Sequence, residues 1–264
     1  MLIDPAHAVP AVHAVARLRA VRLAASAKPF VARGSGGGRC PACRLVVSHC
    51  LCALRPVLPT RAGVCLLMGD IETLKPSNTG WLVADVVSDT WAFGWSRTAV
   101  HPDLLSLLAD PQRQAYLVFP GEFADPARVV TELLVAPLVD AEDTDQITES
   151  DSKRPLFVLL DGTWAEARKM FRKSPYLDRL PVLSLQPGTP SNYRLRRSSR
   201  ADHFCTAEVA AQCLALAGET QAADTLAAYL DVFTAHYLSV KRNLPLDRES
   251  EAHQRLLRLV DSGA

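Results

Sequence analysis

Hydrophobic residues along the chain fall into short continuous runs that are separated by longer amphipathic segments. Continuous apolar runs of about four to eight residues are typical of strands buried on both faces, as in a parallel sheet. The alternation of strands and helices predicts an α/β fold, with a mostly parallel sheet and flanking helices. The predicted strands are 64–68, 91–95, 115–119, 156–160 and 181–185, and the predicted helices between them are 79–88, 101–109, 125–135 and 163–173.

Two further helices are predicted near the carboxyl end of the chain. The segment 206–217 begins at Thr206 and stops before Gly218, a residue type common just past a helix. The segment 221–241 carries an apolar stripe on one helical face, formed by Leu226, Leu230, Phe233 and Tyr237. Residues beyond 248 are predicted to form a short charged helix or a frayed tail.

Composition places the chain among ordinary soluble globular proteins. Of its 264 residues, 48% are hydrophobic and 22% are charged, and no stretch approaches the roughly 20 apolar residues that span a bilayer. With a net charge of +1, any nucleic-acid partner must be bound by local basic patches rather than by the charge of the whole chain. We therefore expect a soluble protein that does not bind a membrane.

Residues 1–37 form a leader of unknown order. They contain one acid, Asp4, and lack the long apolar run and the cleavage site of a secretory signal. A loosely ordered or helical leader and a transit-peptide-like segment are both open. Seven cysteines, four of them between residues 40 and 52, do not resemble a disulfide framework spread along a secreted chain. A cytoplasmic, reducing location fits this pattern better.

The segment CPACRLVVSHCLC has the cysteine spacing of a metal site. A CxxC pair is followed closely by a CxC pair, and four neighbouring thiolates can form the closed tetrahedral site of structural zinc. A redox-active dithiol and unliganded thiols are the alternatives, and His49 can replace one thiolate as a ligand. The predicted ligands of a structural Zn²⁺ ion are Cys40, Cys43, Cys50 and Cys52.

A buried strand that ends in a carboxylate is the main candidate for a chemical centre. The segment 155–173, PLFVLLDGTWAEARKMFRK, runs from an apolar strand into Asp161 and then into a helix. Ligands of open parallel sheets bind beyond the carboxyl ends of the strands, which is where Asp161 lies. Thr163 and Glu166 have the spacing of a capping box, and Gly162 permits a sharp turn or the close approach of a ligand. The alternative is that Asp161 only caps the helix.

Basic residues follow several of the predicted strands. A solvated helix face would explain a single stripe of cations, such as the one on helix 163–173. Cations at several strand ends on one rim are instead the pattern expected for contacts with a phosphate backbone. The predicted RNA-binding residues are Lys75, Ser77, Asn78, Arg97, Arg168, Lys169, Arg172, Lys173, Arg194, Arg196 and Arg197.

These segments together resemble the DTW-domain family, which is named for an Asp, a Thr and a Trp that correspond to Asp161, Thr163 and Trp164. The matching strings are LKPSNTG, WSRT, VFPGE, LLDGTWAEARKMFRKSPYLDRLP, YRLR and CTAEVA, preceded by the cysteine cluster. The resemblance covers roughly residues 38–240. It divides the chain into the leader 1–37, a four-cysteine zinc-binding module 38–58, a DTW catalytic domain 59–243, and a C-terminal tail or short helix 244–264.

The resemblance implies an activity on tRNA. Similar enzymes transfer the 3-amino-3-carboxypropyl group of S-adenosylmethionine to N3 of a tRNA uridine, in bacteria one in the variable loop, and release 5′-methylthioadenosine. The family is related to the SPOUT class, whose cofactor lies in a knotted C-terminal region, so the fold is expected to be SPOUT-like.

By this similarity Asp161 is the catalytic residue, either as a general base or as the group that orients the uracil. The partners are tRNA and S-adenosylmethionine, with no obligatory protein partner implied. The implied cofactor-binding residues are Pro120, Gly121, Asp161, Gly162, Thr163, Trp164, Leu183, Ser184, Tyr193, Leu195 and Thr206.

Two other functions are compatible with the same sequence features. One is an RNA methyltransferase of the SPOUT type, which would use the same cofactor but release S-adenosylhomocysteine. The other is a zinc-bearing RNA-binding module without catalytic activity.

Overall fold

Six strands of the described residues form one sheet, and neighbouring strands in it pair in parallel. The computed structural model describes residues 12–32, 38–133, 152–185 and 204–262. The strands are β1 (Gly63–Met68), β2 (Thr90–Gly94), β3 (Arg113–Val118), β4 (Val129–Val130), β5 (Arg154–Asp161) and β6 (Val182–Leu183). Their order in the sheet is β2-β1-β5-β3-β6-β4. The predicted α/β architecture with a parallel sheet is confirmed.

Seven α-helices of the described residues accompany this sheet. They are α1 (Ala14–Ala24), α2 (Gly80–Val86), α3 (Pro102–Leu108), α4 (Trp164–Arg172), α5 (Thr206–Leu216), α6 (Thr220–Arg242) and α7 (Glu251–Asp261). No described helix is both long enough and apolar enough to cross a membrane.

The central strands are buried on both faces, as their continuous apolar sequences predict. All six residues of β1 are buried, and its side chains alternate between two clusters because successive residues of a strand point to opposite faces. Val64, Leu66 and Met68 pack with α2, α5 and α6, whereas Cys65 and Leu67 pack with the apolar residues of α3. The sheet is therefore a middle layer between helices.

One predicted helix is wrong, and one predicted strand is longer than the observed strand. The segment 125–135 was expected to be helical, but its described part is a 3₁₀ turn, Pro126–Arg128, followed by β4. The Asp125 carboxylate accepts a hydrogen bond from the Ala127 N–H (3.0 Å), which closes the turn. The two β-branched valines that follow then pair with β6 and complete the sheet edge. The predicted strand 181–185 shortens to the two residues of β6.

The leader and the cysteine segment pack against the same core as the sheet. Part of the leader forms helix α1, whose Val15 is completely buried. Leu45 and Leu51 of the cysteine segment belong to the cluster that contains β1 and α6. Because these segments share one core with the sheet, their stability is coupled to that of the sheet. The division of the chain into a leader, a module and a catalytic domain stays a prediction.

A pair of buried histidines joins α6 to α7. The Nε2 atoms of His236 and His253 lie 2.9 Å apart, and both side chains are almost completely buried. His236 Nδ1 lies 3.0 Å from the His49 carbonyl oxygen, so it is assigned as the protonated nitrogen and Nε2 as the acceptor. Protonation of His236 at Nε2 would place its N–H against the N–H of His253. Burial accordingly lowers the pKa of His236 to about 4 and also lowers the pKa of His253.

This pair is expected to make the protein less stable in mild acid. A histidine whose folded-state pKa is lowered contributes stability that is complete above its unfolded pKa of about 6.5 and is lost as the pH falls toward the folded pKa. We expect the free energy of unfolding to fall between pH 7 and pH 5 more steeply in the wild type than in His236→Gln. The difference should be on the order of 1 kcal/mol.

Denaturant unfolding at the two pH values measures this difference, with His101→Asn, an exposed histidine, as the matched control. Because each variant is compared with the wild type, the titrations of His13 and Asp85 cancel. Equal pH slopes in His236→Gln and the wild type would contradict the prediction.

Candidate active site

The carboxyl ends of three neighbouring strands meet where Asp161 lies. Asp161 is the last residue of β5, and Met68, its partner in register, is the last residue of β1. From β1 the chain continues to β2 on one side, whereas from β3 it continues to β4 on the other side. The connections that follow β1 and β3 therefore lead to opposite sides of β5, and such a switch point is where open α/β sheets bind ligands.

Both carboxylate oxygens of Asp161 accept hydrogen bonds from side chains of other elements. Asn78 Nδ2 donates to Oδ2 (2.7 Å), and the Thr206 hydroxyl at the start of α5 donates to Oδ1 (2.7 Å). The side-chain oxygen of Asn78 in turn accepts from the Trp81 N–H (3.0 Å). Asp161 is 2% exposed. The carboxylate is thus fixed in orientation by the loop before α2 and by the first residue of α5.

Gly80 permits this arrangement because it has no Cβ atom. A Cβ atom at this position would lie 2.6 Å from Asp161 Oδ2, closer than any real contact. The first turn of α2 can therefore approach the carboxylate only with glycine at this position.

Helix α4 begins as predicted, directly beyond Asp161. The Thr163 N–H and hydroxyl donate to Glu166 Oε2 (2.7 and 2.6 Å), and the Glu166 N–H donates back to Thr163 Oγ1 (3.3 Å). This capping box is confirmed. It fixes the direction in which the following Trp164 leaves the strand.

Trp164 is part of an aromatic stack at the same edge. Its ring lies parallel to that of Phe119, with centroids 5.4 Å apart, and Phe119 stacks in turn on Phe171 at 4.4 Å. Phe123 meets Trp164 edge to face at 5.7 Å. Trp164 is 38% exposed, whereas Phe119 is buried. An exposed indole on a rigid aromatic base is suited to stacking against a nucleobase or an adenine ring.

A second group of predicted cofactor-binding residues lies at the ends of β3 and β6. The Gly121 N–H donates to Ser184 Oγ (3.0 Å). A Cβ atom on Gly121 would lie 2.9 Å from a Val129 methyl group, so only glycine fits here. Leu183 is buried in β6, and Pro120 is exposed. These residues and the Asp161 group follow adjacent strands on one edge.

The predicted RNA-binding cations are divided between the surface and the interior. On α4 all four cations are exposed, and so is Arg97 in the loop after β2. Arg168 lies over the Phe123 ring (5.0 Å), and Lys169 lies over the Trp95 ring (5.5 Å). The exposed α4 residues are Arg168, Lys169, Arg172 and Lys173.

The loop after β1 faces inward more than the sequence suggested. Asn78 is completely buried against Asp161, and Ser77 is half-buried. The Lys75 ammonium group pairs with the buried Glu72 carboxylate. Five other predicted site residues lie outside the described residues, as does part of the expected knotted region: Tyr193, Arg194, Leu195, Arg196 and Arg197.

The four cysteines of the CxxC and CxC pairs come together. Their Sγ atoms all lie within 4.8 Å of one another, with Cys40 and Cys52 at 3.6 Å and Cys43 and Cys50 at 3.7 Å. Sulfurs in a tetrahedral zinc site with Zn–S bonds of about 2.3 Å lie about 3.8 Å apart. The Leu51 N–H also points at Cys43 Sγ (3.5 Å). The donor set and its spacing therefore fit Zn²⁺.

Arg44 connects the cysteine segment to the loop that holds Asp161, which sequence reasoning did not predict. Its backbone is in the left-handed region, with φ of 66°, and its side chain is buried under the Trp81 ring, 4.1 Å from the centroid. Its guanidinium donates to the carbonyl oxygens of Lys75 (2.8 Å) and Asn78 (3.2 Å). The position of Asn78 thus depends on the cysteine segment.

A buried carboxylate beneath Trp81 completes this polar layer. Asp85 contacts Arg55 Nε (2.8 Å) and accepts a hydrogen bond from the Tyr229 hydroxyl (3.2 Å). Burial raises the pKa of Asp85 to about 7, and burial lowers the pKa of nearby His13 to about 3. These groups join α1, α2, α6 and the cysteine segment. These contacts could not be predicted from the sequence because the residues that form them are far apart along the chain.

The fold and this edge define the class of protein: a parallel α/β domain with an Asp-x-Thr-Trp motif at the end of its central strand. The family model described as the DTW domain matches residues 37–238, so the chain belongs to the DTW-domain family. A protein of Drosophila melanogaster named tRNA-uridine aminocarboxypropyltransferase 2 is 36% identical over 84 residues. That match spans 32% of this chain and 33% of the relative. No solved structure matches the chain.

Proposed function

We propose that this protein transfers the 3-amino-3-carboxypropyl group of S-adenosylmethionine to N3 of a tRNA uridine, in the variable loop, and releases 5′-methylthioadenosine. The observation that carries the proposal is the Asp-x-Thr-Trp motif at the end of β5, inside the stretch that the DTW family model matches. The name of the distant relative supports the same reaction.

The residues at the carboxyl edge fit the cofactor. Trp164 offers a partly exposed aromatic face on a rigid aromatic base, as a nucleoside needs. When bound, S-adenosylmethionine supplies a γ-carbon that its sulfonium group activates toward a nucleophile. The contribution of the protein is then to orient the uracil and exclude water, because in-line geometry controls which carbon reacts. SPOUT-like binding in the predicted knotted region is part of this proposal.

Asp161 is proposed to orient the uracil edge rather than to remove its proton. Both of its oxygens accept short hydrogen bonds from Asn78 and Thr206, and these bonds hold the carboxylate in one orientation, as a group that positions the uracil needs. The N3 proton must pass to solvent water before N3 can attack, and nearby cations can stabilise the resulting anion. The exposed arginines and lysines of α4 are proposed to hold the tRNA backbone near this edge.

The by-product of the reaction tests the proposal. Purified protein is incubated with S-adenosylmethionine and tRNA, and the products are separated by chromatography and identified by mass spectrometry. We expect 5′-methylthioadenosine together with 3-(3-amino-3-carboxypropyl)uridine in the tRNA digest. S-adenosylhomocysteine with a methylated base would show an RNA methyltransferase instead. Failure to bind S-adenosylmethionine would indicate an RNA-binding module without catalysis.

Reversing two charges on α4 is expected to weaken tRNA binding. The double variant Arg168→Glu/Arg172→Glu should bind tRNA about tenfold more weakly, with a salt-dependence slope smaller by about one to two. Each phosphate contact that is lost reduces the number of counterions released on binding by about one. Fluorescence anisotropy at several salt concentrations measures both quantities. S-adenosylmethionine binding should be unchanged.

The matched control is Arg248→Glu/Arg258→Glu, which makes the same charge change at exposed positions in and next to α7. Equal losses in the two double variants would show a general charge effect rather than a binding surface on α4. Loss of S-adenosylmethionine binding in the α4 variant would show that the α4 cations line the cofactor pocket.

A further inference from the structure

A cavity of about 600 Å³ lies between the leader helix, the cysteine segment and the loop after β1. This volume is in the range of ligand-binding pockets, about 300–1,000 Å³. Its described walls include Phe30 and Val31 of the leader, Gly38 and Pro41 beside the cysteines, and Leu74 and Pro76 of the loop. The cavity shares none of its lining with the Asp161 group.

Three arginines line this cavity, and no acidic residue is among its described lining residues. They are Arg19 of α1, Arg39, and Arg44 of the cysteine segment. Arg39 Nη1 donates to the Arg44 carbonyl oxygen (3.0 Å), which ties two of them together. Arginine guanidinium groups are a common means by which proteins bind phosphate.

Two of these arginines have buried N–H groups without a partner. Arg19 Nη1 and Arg44 Nε have no hydrogen-bond acceptor within the described part of the chain. Burial lowers the pKa of Arg19, and the guanidinium groups of Arg19 and Arg44 carry charges of the same sign. Buried cationic donors that repel each other are stabilised by an anion.

The apolar lining residues of the cavity are suited to bind the base of a nucleotide. Phe30 is 38% exposed, and together with Pro41, Leu74 and Pro76 it gives the cavity flat apolar surfaces. Nucleobases bind proteins by stacking on aromatic side chains and on arginine planes. The lining therefore contains both kinds of group that a nucleotide needs: arginines for its phosphate and apolar side chains, one of them aromatic, for its base.

We propose that this cavity binds one phosphate-bearing nucleotide of the tRNA substrate, at a site separate from the candidate catalytic edge. The inference rests on the proposed function for the identity of the RNA. Leu74 and Pro76 line the cavity, and Asn78 of the same short loop contacts Asp161. The cavity and the Asp161 group are therefore connected through one short loop.

The test compares Arg19→Glu with Arg17→Glu, an exposed arginine on the same helix that undergoes the same charge change. Arg19→Glu should lower tRNA affinity about tenfold and reduce the salt-dependence slope by about one, and Arg17→Glu should change affinity less than about twofold. Arg19→Met, which keeps the apolar stem, should reproduce the loss and controls for folding. Equal affinities in Arg19→Glu and Arg17→Glu would overturn the proposal.

A second arm separates RNA from free nucleotides. Thermal unfolding of the wild type and Arg19→Met is followed during titration with uridine 5′-monophosphate and with inorganic phosphate. Stabilisation by the mononucleotide that needs Arg19, without any change in tRNA affinity, would assign the cavity to a free nucleotide and overturn the RNA site.

Product formation by the wild type tests the proposed function independently. If Arg19→Glu weakens tRNA binding but the wild type forms no modified uridine, the proposed function fails and the site stands as an RNA site. If product forms normally and both variants bind tRNA equally, only the site fails.

Discussion

Asp161→Asn should reduce the rate of aminocarboxypropyl transfer about 10²- to 10⁴-fold, the range typical of a group that orients or activates the reacting atom. The change removes the negative charge but keeps the shape of the side chain. Because Asp161 is buried at the end of the central strand, water cannot substitute for its charge. Single-turnover formation of modified uridine in tRNA measures the effect.

The asparagine variant separates chemistry from folding. Its amide oxygen can accept from Asn78 while its amide nitrogen donates to the Thr206 hydroxyl, which can serve as an acceptor. Asp161→Ala would instead leave two buried donors without an acceptor, at a cost of about 1–3 kcal/mol for each. We expect Asp161→Asn to unfold within a few degrees of the wild type, since its polar contacts persist.

A third variant distinguishes the two roles of the carboxylate. Thr206→Val removes one of the two donors and keeps the volume of the side chain. If Asp161 orients the uracil, this variant should lower the rate constant without moving the acid limb of the pH–rate profile. A displaced acid limb would assign Asp161 to proton transfer, and a wild-type rate in Asp161→Asn would exclude both roles.

Cys43→Ser should abolish stoichiometric zinc binding and lower the free energy of unfolding by at least about 3 kcal/mol. Metal binding to a structural site contributes directly to folding, with apparent values of about 10–16 kcal/mol in isolated zinc-finger peptides. Cys43 is buried between Leu45 and Leu51, whose side chains belong to the core shared with β1 and α6. Loss of the metal therefore loosens part of the main core.

The control is Cys213→Ser, since Cys213 is equally inaccessible in the same core but lies outside the cluster. This variant should lose some packing energy while retaining one zinc ion per chain. Elemental analysis and denaturant unfolding give the two quantities. A wild type that contains no zinc after purification with metal present, and forms a Cys40–Cys52 or Cys43–Cys50 disulfide on mild oxidation, would support the redox alternative.

Local patterns predicted the elements that do not depend on distant contacts. The apolar runs identified five of the strands, and the Thr163–Glu166 spacing identified the start of α4. The position of Asp161 at the strand end followed from the same run. The helix predicted at 125–135 failed because its apolar residues match either period, and pairing of Val129 and Val130 with β6 decided the outcome.

Contacts between distant segments could not be predicted in this way. Asn78 was expected on an RNA-binding surface because the loop around it is polar, yet its amide is buried against Asp161, from which it is separated by much of the sheet sequence. The role of Arg44 could not be predicted either, because its contact with Trp81 depends on three-dimensional packing and not on spacing in the sequence. The RNA-binding and cofactor assignments stay predictions for the variants above to test.

The strand order has a consequence for synthesis on the ribosome. Strand β5 pairs with both β1 and β3 but follows β3 by about 40 residues, so until β5 emerges the β1–β2 pair and strand β3 lack the strand that joins them. At translation rates of about 5–20 residues per second, this interval lasts roughly 2–8 s, during which apolar strand edges are exposed to aggregation. A chain interrupted before Asp161 lacks both the strand that joins β1 to β3 and the carboxylate at its end, so completion of the sheet and assembly of the candidate site depend on the same segment.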